Sequence, residues 1–271
     1  MKQLLRFFVF ILCLSCFFAK AQSITVDINL TGGSVTESYV LPFSPADHYS
    51  YSQQIYTAAE ISAANPAAAA GMTISQIQLF RPSSSWNITN SGDITIYLAN
   101  TDKTSFSSTT DWIPLDQLTK VLELPGVLKW AANTPFTLPL TEFFEYKGGK
   151  NLVFVFRENR SGKDNNYPAF RAYNTDSKRA LYTLGTTTIN PSSPPSGTFP
   201  TLQANNAILF KGQAISTASV QTVEANGITE TSGVINGLAA NVTIGIFGFK
   251  YRVNNGTWGA WHTDRLYHKC S

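Results

Sequence analysis

DITIYLANTDKTSFSSTTDW, at residues 93–112, is the segment that most clearly indicates a β fold. Apolar residues fill every second position from Ile94 to Leu98, and Thr95 and Tyr97 stand between them. This period of two predicts a strand with one buried face. The second half is a long polar loop that ends in a tryptophan, and β-sandwich proteins often carry their binding groups on loops fed by rigid strands. Because the stretch contains no nucleophile pattern and no metal-ligand spacing, it favours a displayed binding module.

The first 21 residues predict a signal peptide. Lys2 and Arg6 begin it, an uncharged and largely apolar segment runs from Phe7 to Phe18, and small residues end at Ala21. The apolar core of about 12 residues is shorter than the roughly 20 that span a bilayer. We therefore expect cleavage after Ala21, no membrane span in the mature chain, and a secreted or cell-surface location.

Charge and cysteine content exclude several classes of partner. Loss of Lys2, Arg6 and Lys20 with the signal lowers the basic residues from 20 to 17, which equals the number of acidic residues. No arginine run or phosphate-binding glycine loop stands out, so nucleic acid is not an expected partner. Two of the three cysteines lie in the predicted signal and the third is Cys270. A secreted chain without disulfides depends on its hydrophobic core, and this composition fits a bacterial envelope.

Short apolar runs recur along the chain at the spacing of a β-sandwich. Residues 49–61 predict a strand with some helical propensity in its second half, and the alanine-rich residues 63–70 predict a loop or one helical turn. Imperfect alternation over residues 73–80 indicates a β-bulge. The run NLVFVFR at residues 151–157 predicts a central strand buried on both faces. Further strands are expected at 23–30, 94–100, 119–124, 128–130, 136–140, 169–172, 180–183 and 202–210.

A second unit begins near Ser216, with strands expected at residues 220–223, 231–238 and 248–253. Only about 55 residues remain there, whereas an immunoglobulin-like sandwich needs roughly 100. We therefore predict an all-β protein of two parts. A jelly-roll-like β-sandwich covers residues 22–217. A partial immunoglobulin- or fibronectin type III-like β-sandwich covers residues 218–271, and its shortness indicates a fragmentary or frame-altered gene end.

Several ordered blocks are distinctive: YSQQIYTAAEI at 51–61, GMTISQIQLF at 71–80, the block at 94–121, and YKGGKNLVFVF at 146–156. Together they resemble an adhesin-like module of Bacteroidetes cell-surface proteins, over most of the chain from about Tyr39 to Phe210. Residues 226–253 resemble the start of a fibronectin type III-like repeat. The resemblance implies a jelly-roll sandwich of the kind found beside secreted peptidases and in haemagglutinin-type surface proteins. It implies attachment or substrate capture and no defined reaction.

Aromatic residues near loops are the candidate ligand contacts, because the apolar face of a sugar stacks on an aromatic ring. Trp86, Trp112 and Tyr167 are the residues chosen on this ground. The alternative is that each ring fills the core or an end of the sandwich. For Trp112, which precedes Ile113 and Pro114, core packing is the favoured interpretation.

Acidic residues around the long loop suggest a structural calcium ion, since hard oxygen ligands suit calcium. The candidate ligands are Asp93, Asp102 and Asp111, and solvated acids are the alternative. No other cofactor is expected. GxSxG and HExxH motifs are absent, and His48 beside Asp47 has no partner at a readable spacing. A carboxylate pair for glycoside hydrolysis is defined by separation in space alone, but the acids are spread evenly, so we expect no enzyme.

These observations favour a secreted or cell-surface, non-catalytic protein for adhesion or ligand binding. Its expected partner is an extracellular glycan or a host or matrix protein. The alternative is an accessory binding domain of an exported peptidase or glycoside hydrolase whose catalytic part is absent from this chain. A stand-alone hydrolase is the third hypothesis.

Overall fold

The computed structural model describes residues 22–33, 35–81, 87–131, 133–164 and 169–215, together with the backbone of four strands beyond them. Gln22–Ile215 forms one compact unit. Its strands are β1 Ser23–Ile28, β2 Thr36–Ser38, β3 Tyr49–Tyr56, β4 Gly71–Phe80, β5 Gly92–Thr101, β6 Thr119–Val127, β7 Pro135–Lys147, β8 Asn151–Glu158, β9 Phe170–Asn174, β10 Ala180–Gly185, β11 Ala204–Asn206 and β12 Ile208–Ala214. Its α-helix is α1 Ala58–Ala64, and 3₁₀ turns cover Pro66–Ala70 and Leu115–Gln117.

Antiparallel pairing arranges these strands in three sheets, of four, five and three strands. The four-stranded sheet has the order β1-β12-β4-β7, and the five-stranded sheet has the order β10-β3-β8-β5-β6. The small third sheet has the order β11-β9-β2. The prediction of an all-β sandwich is confirmed.

The two large sheets share one hydrophobic core. Val26 of β1 and Phe210 of β12 lie in it with Ile96 of β5 and Phe154 of β8, and none of the four exceeds 1% exposure. A second core lies on the opposite face of the five-stranded sheet, and loops cover this face. It contains Tyr51, Val153, Val155 and Leu181 from strands and Phe106, Ile113 and Ile189 from loops.

β8 is the middle strand of the five-stranded sheet and is buried on both faces, as predicted from NLVFVFR. Leu152, Phe154 and Phe156 face the main core, while Val153 and Val155 face the second core. The predicted bulge is also confirmed, because the pairing of β4 with β7 shifts register between Ile74 and Gln76.

The segment after β3 differs from the expected long strand. β3 ends at Tyr56, and α1 begins at Ala58. Thr57 caps the helix by accepting a hydrogen bond from the Glu60 N–H, and Glu60 in turn accepts one from the Thr57 N–H, 2.9 Å away. This reciprocal pair of hydrogen bonds satisfies two backbone N–H groups at the start of the helix. The capping box therefore stabilises a helix here instead of a continued strand.

Two other strands are longer than expected. β6 runs unbroken through Pro125 and Gly126 to Val127, and Trp130 then forms a single bridge with Ile88. β7 continues to Lys147 because its second half pairs again with β4 after the bulge.

Beyond the compact unit, the described backbone forms two strand pairs. β13 Ser219–Asn226 pairs with β14 Val234–Ala240, and β15 Phe247–Phe249 pairs with β16 His262–Asp264. The rest of the predicted fibronectin type III-like unit, and the predicted signal peptide, lie outside the described residues. In the part of the chain that is described, no helix has the length and apolarity needed to cross a bilayer.

Candidate functional site

Polar loops meet at one end of the five-stranded sheet, where β5 begins and β8 ends. The two strands are antiparallel, and Ile94 of β5 pairs with Glu158 of β8. The residues before Ile94 and after Glu158 therefore leave the sheet at the same end of these two strands. We call residues 87–93 and 158–164 together the loop cluster.

Asp164 joins the two halves of the loop cluster. Its Oδ1 accepts hydrogen bonds from the N–H and the hydroxyl of Thr89, each at 3.0 Å, and from the Asn90 side-chain amide at 3.2 Å. Its Oδ2 accepts weaker bonds from the Asn90 N–H and the Ser91 hydroxyl. Its own N–H donates to the Pro45 carbonyl at 2.7 Å. One carboxylate that is only 5% exposed thus fixes three chain segments to one another.

Glu158 makes a second connection deeper in the sheet. Its Oε1 accepts hydrogen bonds from the Gly92 N–H at 2.9 Å and from the Arg160 N–H at 3.1 Å. Burial, which disfavours the charged form, is the main cause that raises the pKa of this carboxyl to about 8. Glu158 is consequently neutral over much of the physiological pH range.

Asp93 is set apart from this buried pair by its backbone and its partners. Its φ of 48° lies in the left-handed region, which aspartate tolerates better than most residues. Its Oδ1 accepts a hydrogen bond from the Gly126 N–H at 2.6 Å, and its Oδ2 lies 3.6 Å from the Arg160 guanidinium. Asp93 therefore ties the loop cluster to the end of β6.

Arg81, directly after β4, is fully buried beside the loop cluster. Its Nη1 donates to the Trp130 carbonyl at 2.7 Å, and its Cζ lies 5.7 Å from the Trp130 ring centroid. Nε and Nη2 have no hydrogen-bond partner in the described structure. Burial lowers the pKa of Arg81 to about 10, and the charge of Asp164 opposes this shift. The guanidinium is still charged at neutral pH, which makes it an unusual core residue.

The histidine considered as a site residue has a structural contact. His48 Nδ1 donates to the Ser161 carbonyl at 2.5 Å, so this nitrogen is occupied by the loop cluster. The contact holds the segment before β3 against the loop after β8.

Of the three aromatic residues predicted to contact a ligand, the structure describes one, Trp112. Trp86 and Tyr167 lie outside the described residues, one position before and three positions after the loop cluster in the sequence. Trp112 is described: its ring centroid lies 5.3 Å from that of Tyr51, and its Nε1 donates to the Pro195 carbonyl at 2.9 Å. The Trp112 ring thus packs between the second core and the proline-rich loop at residues 191–200.

The predicted calcium ligands are not brought together. Asp102 binds Lys150 through both carboxylate oxygens, at 2.7 and 2.8 Å. Asp111 binds Lys103 at 2.7 Å and accepts two bonds from Ser107. Lysine ammonium groups therefore provide the positive charge at both acids. No group of three acidic, histidine or cysteine side chains suited to a metal ion occurs among the residues with described positions. The calcium prediction gains no support from this geometry.

The sequence did not point to Arg81, Glu158, Arg160 or Asp164 as site residues. One signal was present for Glu158, because it follows Leu152, Phe154 and Phe156 at the same period of two and so falls on their core face. The contact between Asp164 and Thr89 has no local signal, since the two residues are 75 positions apart.

Comparison with known proteins identifies no family. No protein-family model matches the chain, and no curated protein matches it. The clostridial cysteine protease Cwp84 after propeptide cleavage is similar at 8% identity with a TM-score of 0.36, over 71% of this chain and 40% of that one. A structure of the cysteine protease and lectin-like domains of Cwp84, a surface layer associated protein of Clostridium difficile, gives 9% identity and a TM-score of 0.35, over 71% of this chain and 36% of that one. This chain spans less than half the length of either structure, and similarity at this level supports no statement about function.

Proposed function

We propose that this protein is a secreted or cell-surface, non-catalytic binding module whose loop cluster presents the contacts to an extracellular glycan or protein. The observation that carries the proposal is the hydrogen-bond set of Asp164. It fixes two loops side by side on a rigid sheet, and such fixed loops lower the entropy lost when a ligand binds.

The chemistry of the loop cluster suits a polar ligand. Ser161 and Lys163 are exposed at its surface and supply a hydroxyl and an ammonium group. Thr89 and Asn90 are exposed beside them, with the Thr89 hydroxyl and the Asn90 amide donating to Asp164. Such groups hydrogen-bond to sugar hydroxyls or to peptide carbonyls.

Two aromatic residues adjoin this surface in the sequence. The described segments next to Trp86 and Tyr167 are the ones that Asp164 holds together. We propose that Trp86 and Tyr167 add aromatic stacking to the polar contacts.

The internal pairing of charged groups supports a binding role over catalysis. Asp102 and Asp111 are neutralised by lysines, and Asp93 faces Arg160. These contacts stabilise loops and leave the groups engaged with their own chain. The apolar segment at residues 7–18 and the near absence of cysteine support export in a bacterium.

A glycan array and a panel of extracellular matrix proteins test the proposal directly with the folded chain. We expect at least one saturable interaction that the double substitution Trp86→Ala with Tyr167→Ala weakens about tenfold or more, as loss of stacking rings at a binding centre does. Phe143→Ala is the matched control, because Phe143 is a 67% exposed aromatic residue on β7. Clean negatives on both panels would count against the proposal.

The accessory-domain alternative keeps the same binding role and adds a catalytic partner. Sequencing the gene beyond the codon for Ser271 separates the two. An in-frame peptidase or glycoside hydrolase domain would favour the alternative.

A further inference from the structure

Glu158 lies at the point where the loop cluster leaves the sheet. Its Oε1 accepts both the N–H of Gly92, the first residue of β5, and the N–H of Arg160, two residues after itself. Its Oε2 is buried and has no hydrogen-bond partner in the described structure, and the residue as a whole is 1% exposed. One carboxyl group therefore holds two segments while keeping an oxygen away from water.

The surroundings of Glu158 favour the neutral carboxyl. Ser50 of β3 and Ile94 of β5 pair with it across the sheet and carry no charge. Asp93 lies on the β5 side and disfavours ionisation, while Arg160 on the loop side favours it and also pairs with Asp93. Burial is the largest contribution and raises the pKa to about 8, because it outweighs the hydrogen bonds from the Gly92 and Arg160 N–H groups, which favour the charged form.

We propose that protonation of Glu158 controls how firmly the loop cluster is held, so that the cluster is tightly closed with a neutral carboxyl and opens more readily as that proton is lost. When the carboxyl O–H dissociates, the proton goes to solvent and the carboxylate gains hydration only if the loop opens. The inference rests on the proposed function in one respect, because it makes ligand capture at this surface dependent on pH.

The sign follows from proton linkage. In the closed cluster the pKa of Glu158 is about 8, and in an opened, hydrated loop it returns towards the ordinary 4.5. Opening therefore releases one proton between these two values. The opening equilibrium is expected to rise about tenfold per pH unit through this window and to level off above pH ~8.

Amide hydrogen exchange of the full chain, measured residue by residue from pH 5 to 9 and corrected for intrinsic rates, tests the proposal. Protection of the Gly92 and Arg160 amides should fall about tenfold per pH unit below pH ~8. In Glu158→Gln, the amide oxygen still accepts both N–H groups, so protection should be nearly independent of pH. Glu145→Gln, on the exposed side of β7, is the matched control and should behave as the wild type.

A ¹³C titration of the Glu158 carboxyl in the wild type measures its pKa directly. This second test does not depend on whether Glu158→Gln folds. A midpoint near 8 supports the proposal, and a midpoint near 4.5 overturns it. Protection that is equally pH-dependent in wild type and Glu158→Gln also overturns it. These readouts need no ligand, so a negative glycan and matrix panel beside a confirmed titration would refute the proposed function and leave this inference standing.

Discussion

The carboxylate of Asp164 accepts both the N–H and the hydroxyl of Thr89 at 3.0 Å, and this contact closes one end of the sandwich. The two residues are 75 positions apart in the chain. The contact lies where β5 begins and β8 ends. Because both strands are packed into the core, they hold the two loops in fixed positions. A surface fixed in this way can present contacts at low entropic cost.

Removal of the Asp164 carboxylate should destabilise the unit. In Asp164→Ala the N–H groups of Thr89 and Asn90 lose their acceptor, which should lower the free energy of unfolding by about 2 kcal/mol. Urea denaturation measures the change. Asp102→Ala is the control: the Asp102 side chain is 83% exposed and pairs with Lys150, so little change is expected. Equal effects of the two substitutions would contradict the role given to Asp164.

Replacement of Arg81 by an apolar residue should be tolerated. Its guanidinium is buried, and two of its nitrogens have no hydrogen-bond partner among the residues whose positions are described. The Trp130 carbonyl keeps a hydrogen bond from the Ile88 N–H at 3.0 Å without it. Arg81→Met should therefore raise the free energy of unfolding by about 1 kcal/mol, because a buried charge is exchanged for apolar packing. A loss of about 2 kcal/mol or more would mean that Arg81 has a partner that stabilises the fold.

Loss of Glu60 should be costly. Glu60 caps α1, pairs with Arg179 and accepts a hydrogen bond from the Tyr173 hydroxyl at 2.9 Å. The Arg179 side chain is only 7% exposed, and its second ion pair, with Asp176, is longer at 3.6 Å. Glu60→Ala should therefore cost about 3 kcal/mol by removing the main partner of a buried cation. The double variant Glu60→Ala with Arg179→Met should recover part of the loss. Strict additivity of the two substitutions in a double-mutant cycle would argue against the pair.

The packing of the long loops can be tested at Gly197. A Cβ there would lie 2.7 Å from the Trp112 ring and 2.9 Å from the Leu181 side chain. Gly197→Ala should lower the free energy of unfolding by about 1–3 kcal/mol through overpacking. Gly32→Ala is the matched control, since nothing lies within 4 Å of a Cβ at that position. A neutral effect at Gly197 would mean that the proline-rich loop does not cover Trp112.

The strands that the sequence predicted best are those with the clearest periodicity. β5 and β8 were found within two residues of their bounds, because apolar alternation and continuous burial are local properties of the chain. The alternation of Tyr51, Gln53 and Ile55 predicts a strand that continues past Tyr56, although Thr57 and Glu60 form a capping-box pattern that indicates the start of α1.

The sequence predicts the residues of the candidate site less well than it predicts the strands. The acids chosen for calcium lie near one another in the chain, but each faces a basic side chain in the folded loops. Lys103 pairs with Asp111, Lys150 with Asp102 and Arg160 with Asp93. The loop cluster depends on contacts between residues 87–93 and 158–164, which only sheet pairing brings together. Long-range hydrogen bonds of this kind leave no periodic trace.

We propose that the loop cluster fixed by Asp164 is the ligand-binding surface. The most direct measurement is the Kd of the strongest array or matrix ligand for wild type, Asp164→Asn and Asp111→Asn, with each variant shown to be folded. We predict that Asp164→Asn weakens binding about tenfold or more, while Asp111→Asn, which alters the loop over the second core, leaves the Kd unchanged. Unaltered binding by Asp164→Asn together with weakened binding by Asp111→Asn would contradict the account and move the site to the loop at residues 102–112.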